Sequence, residues 1–94
     1  MFYERKVTSF DELMRAVRVL DEDSGVRLVG EARGRKCLVF VTRSGPKFTM
    51  MTYSVKAGTG TPGRRLGAME FDGAGALGEA LRKAAPRRIL AYVY

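Results

Sequence analysis

Apolar residues recur every three or four positions over Phe10–Glu22, and this spacing predicts an amphipathic helix. Ser9 and Glu12 have the Ser-x-x-Glu spacing of a capping box, in which the serine side chain accepts the backbone N–H three residues on. We therefore expect the helix to begin after Ser9 and to stop where Ser24 and Gly25 follow it. Its apolar stripe, which should pack on a sheet, consists of Phe10, Leu13, Met14, Val17 and Leu20.

Three segments rich in Val, Phe, Tyr and Thr follow, and their composition predicts strands over Val26–Ala32, Lys36–Arg43 and Lys47–Ala57. The connections at residues 33–35 and 44–46 contain Gly34, Gly45 and Pro46, residues that supply turn dihedral angles. Short turns of this kind join neighbouring antiparallel strands. We therefore expect a β-meander.

Periodicity changes twice more in the second half of the chain. Gly58–Gly67 holds too many glycines for regular structure and is predicted to be a flexible loop, after which Ala68–Phe71 forms a short fourth strand. A second helix starts near residues 72–75 and ends before Pro86, and Arg88–Tyr94 forms a last strand. A short strand ahead of the first helix is compatible with this order.

Together these elements predict a single α+β domain over residues 1–94, with an antiparallel sheet of four to five strands and two helices packed on one face. The other face of the sheet must then meet solvent, a ligand or another subunit. Alternation in the third predicted strand places Phe48, Met50 and Thr52 on one side, with Met51 and Tyr53 on the other. The second face is therefore a surface for stacking bases, a dimer interface or additional core.

The charge of the chain is concentrated in its middle. The 94 residues contain 17 Lys and Arg against 10 Asp and Glu, a formal net charge of +7. Arg27–Gly67 holds nine of the basic residues and only one acidic residue, while the remainder is nearly balanced. Such an excess favours a polyanionic partner. The chain also lacks Asn and Gln, the usual readers of adenine, so base recognition would rest on Arg and Lys.

Several classes of function are disfavoured by the same sequence. There is no histidine to serve as a general base or metal ligand, and the carboxylates form no close motif, so we expect no enzyme, metal or cofactor. Cys37, the only cysteine, is predicted to be a buried structural thiol.

Gly58, Gly60 and Gly63 match the dinucleotide-binding pattern Gly-x-Gly-x-x-Gly. A strand rather than a helix is predicted to follow them, which argues against a dinucleotide site. With no long apolar run, we expect a cytoplasmic protein rather than a membrane protein.

In pattern and order, the chain resembles the ThermoDBP-related archaeal single-stranded DNA-binding proteins. The resemblance lies in Phe10–Met14 within the capped helix, in Gly25–Arg33 and in the basic, aromatic strands that follow. It implies an antiparallel sheet with helices, an apolar cleft that takes up bases, a basic rim and binding with little sequence preference. The depletion of thermolabile amides also suits a protein from a hot environment.

The leading hypothesis is a non-catalytic, largely sequence-independent binder of single-stranded nucleic acid, DNA more than RNA. Two alternatives stay open: a protein-interaction or oligomerisation module with a basic surface, for example a homodimer, and a small nucleic-acid-processing enzyme. The residues predicted to contact phosphates are Arg33, Arg35, Lys36, Arg43, Lys47, Lys56, Arg64 and Arg65. The residues predicted to stack on bases are Phe40, Phe48, Tyr53 and Tyr92.

Overall fold

Two helices and a six-stranded antiparallel sheet make up the fold in a computed structural model, which describes residues 5–32, 34–56, 58, 60–84 and 90–94. The elements are β1 (Arg5–Val7), α1 (Phe10–Arg18), β2 (Gly25–Ala32), β3 (Arg35–Ser44), β4 (Lys47–Val55), β5 (Pro62–Phe71), α2 (Ala74–Ala84) and β6 (Ala91–Val93). The order of the strands in the sheet is β1-β6-β2-β3-β4-β5.

The predicted α+β class is confirmed, but the predicted number of four to five strands is wrong. The additional strand is β1, which pairs with β6 through Arg5–Val93 and Val7–Ala91. Three residues are too few to show the alternation of apolar and polar positions that identifies a strand in sequence. β1 forms because β6, which also pairs with β2, presents its other edge for pairing.

The core lies between the helices and one face of the sheet. Leu13 and Val17 of α1 and Leu77 and Leu81 of α2 are fully buried. They join one apolar cluster with residues from β2, β3 and β4, namely Val26, Leu28, Val39, Val41, Phe48 and Met50. Removal of this apolar surface from water is the main favourable term in folding. Both helices therefore cover the same face of the sheet, as predicted.

Helix α1 begins where the capping box predicts and ends four residues earlier than expected. The Oγ of Ser9 accepts the backbone N–H of Glu12 at 3.2 Å. At the other end the N–H groups of Val19 and Leu20 bond back three residues, at 3.2 Å each. This tightens the last turn. Asp21 then opens a turn by accepting the N–H of Asp23 on its own Oδ1 at 2.9 Å, so the acidic residues after the helix form its exit and do not extend it.

The largest departure from prediction is β5, which starts at Pro62 inside the segment expected to be a flexible loop. Its pairing with β4 runs from Phe48–Phe71 to Val55–Pro62, with register shifts around Tyr53. Hydrogen bonds of β4 with this segment hold the glycine-rich part in place: the Oγ of Ser54 accepts the N–H of Arg64 at 2.8 Å. Pairing with β4 therefore overrides the low strand propensity of glycine.

Among the described residues, neither helix has the length and apolar character needed to cross a membrane.

Replacing Ser9 with alanine should destabilise the protein by about 1 kcal/mol, because the N–H of Glu12 would lose its acceptor at the start of α1. Urea unfolding followed by circular dichroism measures the change. Thr8→Ala is the matched control, since Thr8 is an exposed neighbour outside the cap. Equal unfolding midpoints for the two variants would contradict the role of the cap.

Candidate functional site

A row of side chains crosses the sheet on the face opposite to the helices, hereafter the open face. Cross-strand pairing joins Lys6 to Tyr92, Tyr92 to Arg27, Arg27 to Phe40 and Phe40 to Met51. Residues that pair across antiparallel strands project to the same side. The three apolar members of the row are half-buried, and Lys6 is exposed. Five strands thus contribute to one surface that carries both rings and cations.

Neighbouring side chains orient the rings in this row. The guanidinium carbon of Arg27 lies 4.9 Å from the centre of the Tyr92 ring, within the range of a cation–π interaction. Phe40 meets Tyr53 edge to face, with ring centres 5.6 Å apart and planes at 83°. The Tyr53 hydroxyl lies 3.5 Å from the sulfur of Met51. These contacts already restrict the rotamers of the rings. Less side-chain entropy would therefore be lost when a ligand binds to them.

A cavity of about 310 Å³ opens beside the row. Val29, Leu38 and Phe40 line it from β2 and β3. Gly60 and Thr61 of the connection between β4 and β5 line it from the other side, together with Pro62 at the start of β5. The remaining lining residues are Arg27, Leu90 and Tyr92. The volume is at the lower end of the about 300–1,000 Å³ of small-ligand sites, and walls that are mostly apolar with one cation are typical of them.

The connection that lines this cavity is a tight turn. The N–H of Lys56 bonds to the carbonyl of Thr61 at 2.8 Å, and the N–H of Gly60 bonds back to the carbonyl of Lys56 at 3.1 Å. Gly58 and Gly60 have φ of +85° and +68°, in the left-handed region that favours glycine. The Gly-x-Gly spacing in this segment therefore has a structural explanation: it turns the chain between two strands.

The predicted basic residues do not all lie on one surface. Alternation and pairing place Lys36, Lys47 and Arg65 on the open face, together with Lys6 and Arg27, which the sequence analysis missed as site residues. Arg35 and Arg64 fall on the opposite side by the same alternation. Lys56 is exposed just after β4. Arg33 lies outside the described residues.

Arg64 and Arg65 also differ from prediction in their backbone. The sequence predicts a flexible loop for both, but they lie within β5. Arg65 pairs with Tyr53, so its side chain shares the face with that ring. Gly58, Gly60 and Thr61, which lie between β4 and β5, are exposed.

Phe48 and Arg43 belong to the other face, which separates them from the predicted interface. Phe48 is 4% exposed and lies in the core beneath α2. The guanidinium carbon of Arg43 lies 5.4 Å from the centre of the Phe48 ring. Its Nη1 donates to the carbonyl of Leu20 and its Nε to that of Gly45, both at 2.9 Å. This arginine therefore joins the end of α1 to the β3–β4 turn.

Charge is distributed unequally between the two sides of the domain. The segments 10–24 and 72–84, which contain the helices, hold seven acidic residues and four basic ones. On the open face, Glu31 and Glu70 stand against five basic residues, and Glu70 lies 4.0 Å from the Nζ of Lys47. With five basic residues against two acidic ones, the open face has the larger positive excess and would attract a phosphate chain.

Cys37 and the acidic side chains are the groups that could act as a nucleophile or as metal ligands. Cys37 is 1% exposed and faces the core. Burial raises the pKa of its thiol above the ordinary value of 9.0, and the nearby carboxylate of Glu31 raises it further. Such a cysteine stays protonated and is a poor nucleophile. Within the described residues, His, Cys, Asp and Glu form no group of three that could hold a metal ion.

Comparisons with protein-family models, with curated proteins and with solved structures found no match to this chain. The features of this chain that bear on its function are therefore the rings, the cavity and the charges of the open face.

Replacing Arg43 with alanine should lower the free energy of unfolding by about 1 to 3 kcal/mol, because two backbone carbonyls would lose a charged donor. Denaturant titration measures this loss. Arg35→Ala is the control, since Arg35 is an exposed arginine of the same strand on the same side. If Arg43→Ala proved as stable as Arg35→Ala, the structural role of Arg43 would be refuted.

Proposed function

We propose that this protein binds single-stranded nucleic acid on the open face, without catalysis and with little sequence preference. The observation that supports this proposal best is the row of Tyr92, Arg27, Phe40 and Met51 on the sheet face that the helices leave uncovered, beside a small apolar cavity. Rings on a sheet surface offer π-faces to any base, and cations around them neutralise phosphates.

The bases would bind at the rings. Tyr92 and Phe40 both line the cavity and flank Arg27 in the row, so one unpaired base fits between the sheet and the turn at residues 60–62. The guanidinium of Arg27 is planar and stacks on aromatic faces, of which Tyr92 is one. A base inserted here would add a second stacking partner. Tyr53 extends this surface toward β5.

The phosphates would lie at the edges of this surface. Lys6, Lys36 and Arg65 are exposed and occupy the open face at three different strands, β1, β3 and β5. A flexible single strand of nucleic acid can place its phosphates near such separated cations while its bases turn toward the rings between them. Bases in a duplex are stacked and paired, so they cannot enter a cavity of this size without unpairing. We therefore infer a preference for single strands.

Removing a ring from the open face should weaken binding without changing the fold. We expect Tyr92→Leu and Phe40→Leu each to reduce affinity for a short oligonucleotide by about 5- to 150-fold, the equivalent of roughly 1–3 kcal/mol of stacking. Fluorescence anisotropy with a labelled oligonucleotide measures this, and thermal unfolding confirms that each variant is folded.

Phe10→Leu is the matched control for these variants. Phe10 lies on α1, where Arg82 covers its ring with the guanidinium carbon 4.2 Å from the ring centre, on the helical side of the sheet. It should therefore bind like the unaltered chain. If all three variants bound equally well, stacking on the open face would be excluded.

Affinity should fall steeply with salt, with a log–log slope of about −0.7 for each phosphate contacted on a single strand. Lys6→Ala and Lys36→Ala should each make the slope less steep by about that amount, for all sequences alike. Titrations of single-stranded DNA, duplex DNA and RNA over a range of salt concentrations provide the measurement. The family resemblance favours DNA, and the RNA titration tests that preference.

Lys83→Ala serves as the control for the salt experiment, because Lys83 is exposed in the last turn of α2 on the helical side. Its slope should equal that of the unaltered chain. A slope near zero for the unaltered chain, or tighter binding of duplex DNA than of single strands, would refute the proposed function.

A further inference from the structure

The two edges of the sheet differ in how much unpaired backbone they present. At one edge, β1 has three residues; at the other, β5 has ten. Every residue of β5 from Pro62 to Glu70 is exposed, and Leu66 and Met69 keep 54% and 53% of their surface accessible. A long edge strand with exposed apolar side chains is a template for pairing with another strand.

The side chains of β5 alternate between the two faces in a way that its pairing with β4 reveals. Ala68 and Glu70 pair with Met51 and Thr49, so they lie on the open face. Gly67 and Met69 pair with Thr52 and Met50 and lie toward the helical side. Between Thr52 and Tyr53 the pairing shifts by one residue of β5, so that Leu66 is opposite no residue of β4. Arg65 therefore pairs with Tyr53 and lies on the open face.

We propose that a second copy of this chain pairs with β5 in antiparallel orientation, with Ala68 opposite Ala68 of the partner subunit. Paired residues must project to the same face, and this register satisfies the requirement. Gly67 then lies opposite Met69 of the partner subunit, both toward the helical side. With Leu66 skipped as it is against β4, Arg65 lies opposite Glu70 of the partner subunit, both on the open face.

Size and charge are complementary in this register. A Cβ built on Gly67 would have no heavy atom within 4 Å, so the space above this glycine is open and can receive a methionine side chain. The two-fold symmetry forms each contact twice: two methionines each cover a glycine, and two arginines each meet a carboxylate. Opposite charges directly across a strand pair stabilise it, and a symmetric dimer is the commonest closed assembly.

The pairing would also double the open face. A two-fold axis perpendicular to the sheet keeps both open faces on the same side, so the two cavities would lie on one continuous twelve-stranded surface. Only this consequence rests on the proposed function. Self-association itself is tested in the absence of nucleic acid, so its failure would leave the binding proposal untouched, and the reverse also holds.

Disulfide cross-linking tests the register directly. Paired Cα atoms in antiparallel strands are about 4.5–5.5 Å apart, which is compatible with a disulfide. Ala68→Cys should therefore form a covalent dimer under mild oxidation, seen on a non-reducing gel. Glu79→Cys, an exposed position on α2, should not, and the buried native Cys37 should not react in either variant. Equal cross-linking of the Ala68 and Glu79 variants would refute the register.

Charge exchange tests the partner contact. In sedimentation equilibrium, Arg65→Glu or Glu70→Arg alone should raise the dissociation constant of the dimer by about tenfold, because each places like charges opposite each other twice. The double variant should return it to within about threefold of the unaltered chain. Circular dichroism checks that the variants are folded. An unaltered chain that sediments as a monomer at every concentration, or single variants that associate as tightly as it does, would overturn the proposal.

Discussion

Burial of one sheet face beneath the two helices is the constraint on which the rest of the structure depends. Leu13, Val17, Leu77 and Leu81 reach the sheet from above, and each fully buried side chain contributes about 1.5–3 kcal/mol relative to exposure. Because the helices cover one face only, the alternating pattern of β2, β3 and β4 leaves a second set of large side chains on the other side. The open face with Phe40, Tyr53 and Tyr92 is thus a consequence of how the core is built.

Much of the fold follows from local pattern, and the exceptions have specific physical causes. The start of α1 at Ser9, the meander of β2 to β4 and the placement of α2 agree with prediction because capping, turn and periodicity signals lie within a few residues of one another. For β1 the sequence only permits a short strand ahead of the first helix, and for the first half of β5 it predicts a loop. A three-residue strand and a glycine-rich one form only because a neighbouring strand is present to pair with them.

The sequence predicts the types of residue at the candidate site, rings and cations, but not which individual residues belong to it. Alternation along the strand places Phe48 and Tyr53 on opposite faces of the sheet. It does not tell which of these faces the helices cover. In the structure Phe48 lies in the core beneath the helices. The sequence predicts a phosphate contact for Arg43 because the residue is basic, but its guanidinium donates to the carbonyls of Leu20 and Gly45. Arg27 and Lys6 became visible only through the cross-strand pairing that aligns them with Tyr92, a register that depends on β6 inserting between β1 and β2.

The residues of β5 connect the two proposals through one acidic side chain. Glu70 lies on the open face, where an isolated carboxylate would repel a phosphate chain. Its carboxylate already has the ammonium of Lys47 at 4.0 Å within the same chain. Pairing of two copies about Ala68 would bring the guanidinium of Arg65 to the same carboxylate from the other side. An arginine has five N–H donors, so it can hold a carboxylate and still present N–H groups to a phosphate. Self-association would therefore remove the main repulsive charge at this edge while retaining a donor for nucleic acid.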